Sequence, residues 1–68
     1  MQIKYFKDTD TAIIEFTCRP VAETRELSES LYLDVDEDGN PVNLTVEHAA
    51  VNARLPNLSY EEFEKASA

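Results

Sequence analysis

The sequence has one cysteine, one histidine, one glycine, no tryptophan and only six Lys or Arg residues. Each scarcity excludes something. A lone Cys18 cannot form an intrachain disulfide, and one thiol beside one imidazole, His48, does not supply the three or four ligands of a structural zinc site. Six scattered cations (Lys4, Lys7, Arg19, Arg25, Arg54 and Lys65) against 14 acids give a net charge of −8. Nucleic-acid binding draws its affinity from cations that neutralise phosphates, so DNA and RNA are not expected partners. No apolar stretch approaches the ~18 residues of a membrane span. The opening Met1-Gln2-Ile3-Lys4-Tyr5-Phe6-Lys7 lacks the apolar region of a signal peptide. A cytoplasmic, membrane-free protein is the expectation, and an unpaired thiol agrees with a reducing compartment.

What remains is a short chain with a strong alternating pattern. Its 68 residues allow one domain, 1–68. A chain of this size buries only ~60% of the surface that its unfolded form exposes. With disulfides and metals excluded, association with another chain is the remaining usual source of stability.

Gly39 is informative because it is alone. It sits in Asp36-Glu37-Asp38-Gly39-Asn40 between two alternating segments, a strong hairpin signal. With Asp38-Gly39 as the turn, Val35, Leu33 and Leu31 oppose Val42, Leu44 and Val46, while Asp34, Tyr32 and Ser30 oppose Asn43, Thr45 and Glu47. One face is apolar and the other polar, and a slip of one residue would mix them. A turn at Asp8-Thr9 does the same for the N-terminus, setting Met1, Ile3 and Tyr5 against Phe16, Ile14 and Ala12. Arg19-Pro20 interrupts the pattern. Residues 22–27 alternate with little apolar content, as an edge strand does. The fold class predicted is α+β: an antiparallel β-meander of about five strands over 1–50, then a C-terminal segment, 51–68, with a short helix. Ser59-Tyr60-Glu61-Glu62 reads as a capping box, which places that helix at about 60–67. A further helix from Ala49 to Leu55 is an additional option. Twelve apolar side chains line one sheet face, more than one short helix covers. Homodimerisation or a larger assembly through that face is therefore expected.

No constellation reads as a catalytic site, and neither a cofactor nor a metal is expected. Asp34-Val35-Asp36-Glu37-Asp38-Gly39 matches the opening of an EF-hand loop. The match then fails, with Pro41 at the eighth position, Thr45 where the twelfth needs a bidentate Glu, and strands where helices belong. Glu47 and His48 are strand neighbours that point to opposite faces, so they form no dyad, and His48 is expected half-buried on the Val46 side. Tyr60 and Phe63, beside Glu61 and Glu62, form either a recognition face or the anchor of the helix on its own sheet, with the anchor favoured. The candidate interaction residues are therefore Tyr60, Glu61, Glu62 and Phe63, with Asp34, Asp36 and Asp38 at the acidic hairpin.

The chain resembles a family of short bacterial and archaeal proteins known as domain of unknown function 2283. The resemblance lies in Met1-x-Ile3-x-Tyr5, Asp10-x-Ala12-x-Ile14, Glu23-Thr24-x-Glu26, the run Leu33 to Asn40, and Val46-Glu47-His48-Ala49. It covers Met1 to about Ala50. Asn43 departs from it where Gly is common, and the tail from Val51 lies outside it. The resemblance implies a small β-rich domain with no catalytic residues to carry over. It also implies the suspicion, attached to the group, of an antitoxin-like half of a two-protein system with a small basic partner. A protein-interaction module is the expected function, and a self-assembling accessory domain is its rival.

Overall fold

The computed structural model describes residues 1–64. Five antiparallel strands form one sheet: β1 (Gln2–Phe6), β2 (Thr11–Glu15), β3 (Glu23–Ser28), β4 (Leu31–Val35) and β5 (Pro41–Glu47). A short helix, α1 (Ala49–Asn52), follows. The class is α+β, as the pattern predicts. The order across the sheet is β1-β2-β5-β4-β3. Two meander pieces, β1-β2 and β3-β4-β5, are thus joined side by side through β2 and β5, and β5 is central.

The registers expected from the alternation hold in both hairpins up to Asp34. Ile3 opposes Ile14 and Tyr5 opposes Ala12. Leu31, Leu33 and Asp34 oppose Val46, Leu44 and Asn43. The β2–β5 pairing continues the same rows, with Ala12 opposite Val46 and Ile14 opposite Leu44. The strand alternation therefore produces three apolar rows on one face. One runs Tyr5, Ala12, Val46, Leu31. The middle one runs Ile3, Ile14, Leu44, Leu33. The third holds Phe16, Val42 and Val35.

Two local corrections concern the hairpins. The β4–β5 pairing shifts after Asp34, so Val35 opposes Pro41 rather than Val42. The turn is longer than two residues: the Asp36 amide donates to the Asn40 carbonyl at 2.9 Å, and the Gly39 amide donates to the Asp36 carbonyl at 3.1 Å. Gly39 has φ 82°, the left-handed conformation that closes such a loop at least cost. The bulge lets both Val35 and Val42 stay buried (1% and 2% exposed). In the first hairpin, the connection spans residues 7–10 rather than a tight two-residue turn, and Asp10 takes φ 54°.

The helix is also displaced from its expected place. Residues 60–64 are not helical, Tyr60 and Phe63 are 84% and 71% exposed, and positions 65–67 of the expected helix lie outside the described residues. Ser59 and Glu62 provide a local cap signal, but so short a helix is unstable in water without a surface to dock on. Such a surface exists ten residues earlier. There Ala49 is completely buried against Ala12 and Val46, with Leu55 folded back onto the same cluster. His48 is exposed rather than half-buried. Its left-handed φ of 52° turns the chain just before the helix, and Ala49 takes the inward position.

The core is correspondingly small. Among the described residues the buried apolar side chains are Ala12, Val35, Val42, Val46 and Ala49, none larger than valine. Of the described elements, α1 packs on β5 at one end of the apolar face. The connection from β2 to β3 passes the other end, where the Ala22 amide donates to the Val35 carbonyl at 2.8 Å. The middle row lies between these covers and is only partly buried. The radius of gyration is 13.4 Å, against ~11 Å for a compact domain of this length.

Ala12 and Ala49 meet where the helix crosses the sheet most closely. Ala49→Leu should therefore overpack the contact and destabilise the fold by about 1–3 kcal/mol. Ala50→Leu, on the exposed side of the same helix, should change it by less than about 0.5 kcal/mol. Urea denaturation of the two variants measures the difference.

Candidate functional site

Two carboxylates organise the connections around the sheet. Asp10 ends the β1–β2 loop, and its left-handed backbone aims both its carbonyl and its side chain at α1. The Tyr5 hydroxyl donates to Asp10 Oδ1 at 2.6 Å. The Ala50 amide donates to the same oxygen at 3.0 Å, and the Ala49 amide donates to the Asp10 carbonyl at 2.9 Å. His48, at the N-cap position, makes no side-chain cap bond. A residue 40 positions away therefore caps the helix, satisfying amides that the helix itself leaves free. The Tyr5 hydrogen bond and the Ala50 amide hold the Asp10 carboxyl below its ordinary pKa. The same bond, which the phenolate could not donate, raises that of Tyr5.

Asp36 is the second. It is the one buried charged side chain of the described residues. Its carboxylate accepts the amides of Asn40 at 2.8 Å and Asp38 at 3.0 Å. It also accepts Arg19 Nη1 at 3.0 Å. Asn40 Nδ2 approaches at 3.5 Å. Burial opposes ionisation, yet the Asn40 amide first, and then Arg19, hold its pKa below the ordinary value. The contact with Arg19 ties the crossover connection to the hairpin tip. Around it, a shallow cleft of about 330 Å³ is lined by Arg19, Pro20, Val21, Ala22, Asp36, Glu37 and Asp38. No described group of three or more His, Cys, Asp or Glu is arranged to hold a metal ion.

The sequence-selected residues fall in different places. Asp34 lies on the reverse face of the sheet, accepting the Thr24 hydroxyl at 2.6 Å and Asn43 Nδ2 at 3.3 Å. Asp36 is occupied by the bonds above, and Asp38 is exposed at the tip. Tyr60, Glu61, Glu62 and Phe63 are exposed in the segment after α1, so Tyr60 and Phe63 do not anchor a helix on the sheet. Asp10 and Tyr5 were not selected as site residues, because no local spacing links a loop aspartate to a helix that begins 39 positions later. The left-handed turn into α1 is the only physical hint, and it is not written in residue type.

The charge is unevenly distributed. The reverse face carries Glu15, Glu26, Asp34 and Glu47 against Lys4, which pairs with Glu15 at 3.2 Å. Glu47 and then Glu26 raise the Tyr32 pKa on that side. The apolar face carries Glu23 and Arg25, which pair with each other at 3.4 Å.

Both lowered carboxyl pKa values have one consequence. A carboxyl whose folded pKa is depressed contributes stability above its unfolded pKa and loses it as pH falls through the folded value. The acid limb of the stability curve should therefore extend below the ordinary carboxylate range. Asp36→Asn should flatten that limb and lower the neutral-pH melting temperature by several degrees, whereas Asp38→Asn should do neither. Thermal melts from neutral pH to strongly acidic pH test this.

No curated protein and no solved structure matches the chain. A family model described as protein of unknown function (DUF2283) matches residues 2–49, from the start of β1 to the first residue of α1. That span is well over half of the sequence and includes the whole sheet together with both anchoring carboxylates. The chain belongs to this family.

Proposed function

We propose that the protein is a protein-interaction module whose apolar sheet face is completed by a second polypeptide. The observation that carries this reading is the composition of the core: three valines and two alanines are buried, while Ile3, Ile14, Leu33 and Leu44 remain partly open and Phe16 is 37% exposed. Open apolar surface bordered by polar residues marks an interface. No described helix is long and apolar enough to cross a membrane, and the reading places the module in the cytoplasm, free of catalytic chemistry and cofactors.

The charge distribution favours a second role beside the first. The acidic reverse face, the hairpin tip at Glu37 and Asp38, and Glu61, Glu62 and Glu64 in the tail each carry negative charge that would attract a small basic protein. That arrangement fits an antitoxin-like half of a two-protein system. Exposed Tyr60 and Phe63 supply apolar contacts within the acidic tail.

A hydrophobic dye reports on the open face. The dilute, purified chain should enhance the fluorescence of such a dye, and a completing chain should displace it. A small basic protein encoded beside this one should associate more slowly as salt rises, because its attraction is screened over ~10 Å at 0.1 M. A chain that melts cooperatively yet binds no dye at any concentration would show a closed face and overturn the module reading.

A further inference from the structure

The tip of the β4–β5 hairpin sets an aspartate directly before the chain's one glycine, Asp38-Gly39. When the residue after an aspartate has no Cβ, its backbone nitrogen can approach the side-chain carbonyl carbon and close a five-membered imide. A side chain on that residue crowds the approach. The other aspartates precede Thr9, Thr11, Val35 and Glu37, and the asparagines precede Pro41, Leu44, Ala53 and Leu58. Ring closure is therefore favoured at one place in the sequence.

The structure leaves that place accessible. Asp38 and Gly39 are both exposed. Among the described residues no side-chain hydrogen bond is made to the Asp38 carboxylate, whereas those of Asp10, Asp34 and Asp36 all accept bonds. Beyond the adjoining residues, no heavy atom lies within 4 Å of the position that a Cβ on Gly39 would take, so the ring has room to form. The same loop also restrains the reaction. The Gly39 amide donates to the Asp36 carbonyl at 3.1 Å, and it must give up this bond to turn its nitrogen towards the carboxyl. The Asp36 carboxylate holds the amides on either side, Asp38 at 3.0 Å and Asn40 at 2.8 Å. These charge-assisted bonds fix the peptide planes that ring closure has to rotate.

We propose that Asp38-Gly39 is a self-modification site, where aspartate converts to isoaspartate through a cyclic imide, and that Asp36 sets the rate by pinning the loop. The Gly39 nitrogen adds to Asp38 Cγ. The N–C bond forms, and the amide proton and the carboxyl hydroxyl leave together as one water. A water then reopens the imide. Its attack at Cγ restores aspartate. Its attack at the main-chain carbonyl carbon leaves the backbone running through the side chain, one carbon longer. The loop between Asp36 and Asn40 then loses the spacing that presents both amides to one carboxylate, and the bond from Arg19 to that carboxylate loosens with it.

Ageing of the purified full chain at mildly acidic pH tests the proposal. Isoaspartate is read by methyl transfer to its carboxyl with an isoaspartyl methyltransferase and placed by peptide mapping. The wild type should gain isoaspartate at Asp38 before any other position. Gly39→Ala should slow its formation by about tenfold or more, because the added Cβ crowds the attack. Asp36→Ala should speed it by about tenfold, the effect of losing charge-assisted hydrogen bonds, and Asp36→Asn, which keeps a neutral acceptor, by about threefold. Arg19→Ala leaves both amide bonds in place and should change the rate by less than about twofold. Circular dichroism checks that each variant keeps its sheet, and Asp36→Asn keeps the test valid if Asp36→Ala unfolds. A wild type that forms no isoaspartate at Asp38, or forms it first elsewhere, overturns the site. Folded Asp36 variants that react no faster than the wild type, or no faster than Arg19→Ala, overturn the role of Asp36.

Discussion

Coverage is the constraint on which the rest of this structure depends. Five strands make a sheet about 20–25 Å across at ~4.8 Å per strand, and the described residues place a four-residue helix and one connection over it. Burial is the dominant favourable term in folding. Its distribution follows where the covers fall: only Ala12, Val46 and Ala49 at the α1 contact and Val35 and Val42 at the other end are fully buried, and the remaining apolar side chains of that face are partly or largely open. The small buried residues, Ala12 and Ala49, follow from the same geometry, because a single helical turn lies close to the strands only where no larger side chain intervenes.

The two edges of the sheet are treated differently. β3 is exposed along its length, carries Glu23, Arg25 and Glu26, and bulges at Leu27. Charge and a bulge both discourage another strand from adding there. β1 is a regular strand with one cation, Lys4, held by Glu15. The polar anchors work across these pieces rather than within them. Asp10 joins the first hairpin to α1, Asp36 joins the crossover to the second hairpin, and Asp34 joins β3 and β5 across β4 through Thr24 and Asn43. Each residue run that carries the family resemblance contributes to one of these anchors or to an apolar row. Each of these runs thus has a structural role in the sheet or its connections.

Much of the sheet was legible in the sequence, because the period of two and the single glycine leave few registers that keep one face apolar. Ile3 against Ile14 and Leu33 against Leu44 follow from that alone. The strand order was not legible. Alternation fixes which face a strand presents, but not whether β2 or β3 lies beside β5, and the β2–β5 pairing joins residues some thirty positions apart. The helix was misplaced for a related reason. Ser59 and Glu62 form a local signal, whereas the helix that forms at Ala49 depends on Asp10, a contact with no sequence-local trace. Of the candidate site, the exposed tail residues and the acidic tip were visible as types. The consumption of Asp36 by its own loop and by Arg19 was not.

The acidic surplus and the small core meet in one energetic picture. Self-repulsion among the acids opposes the compact state, and the five small buried side chains have little reserve against it. On the module reading proposed above, a second polypeptide on the apolar face adds burial to that core. Binding of a hydrophobic dye to the dilute, unmodified chain at fixed salt and pH measures the open face directly. The account predicts enhanced fluorescence from a chain that still melts cooperatively; a cooperative melt with no dye signal would contradict it.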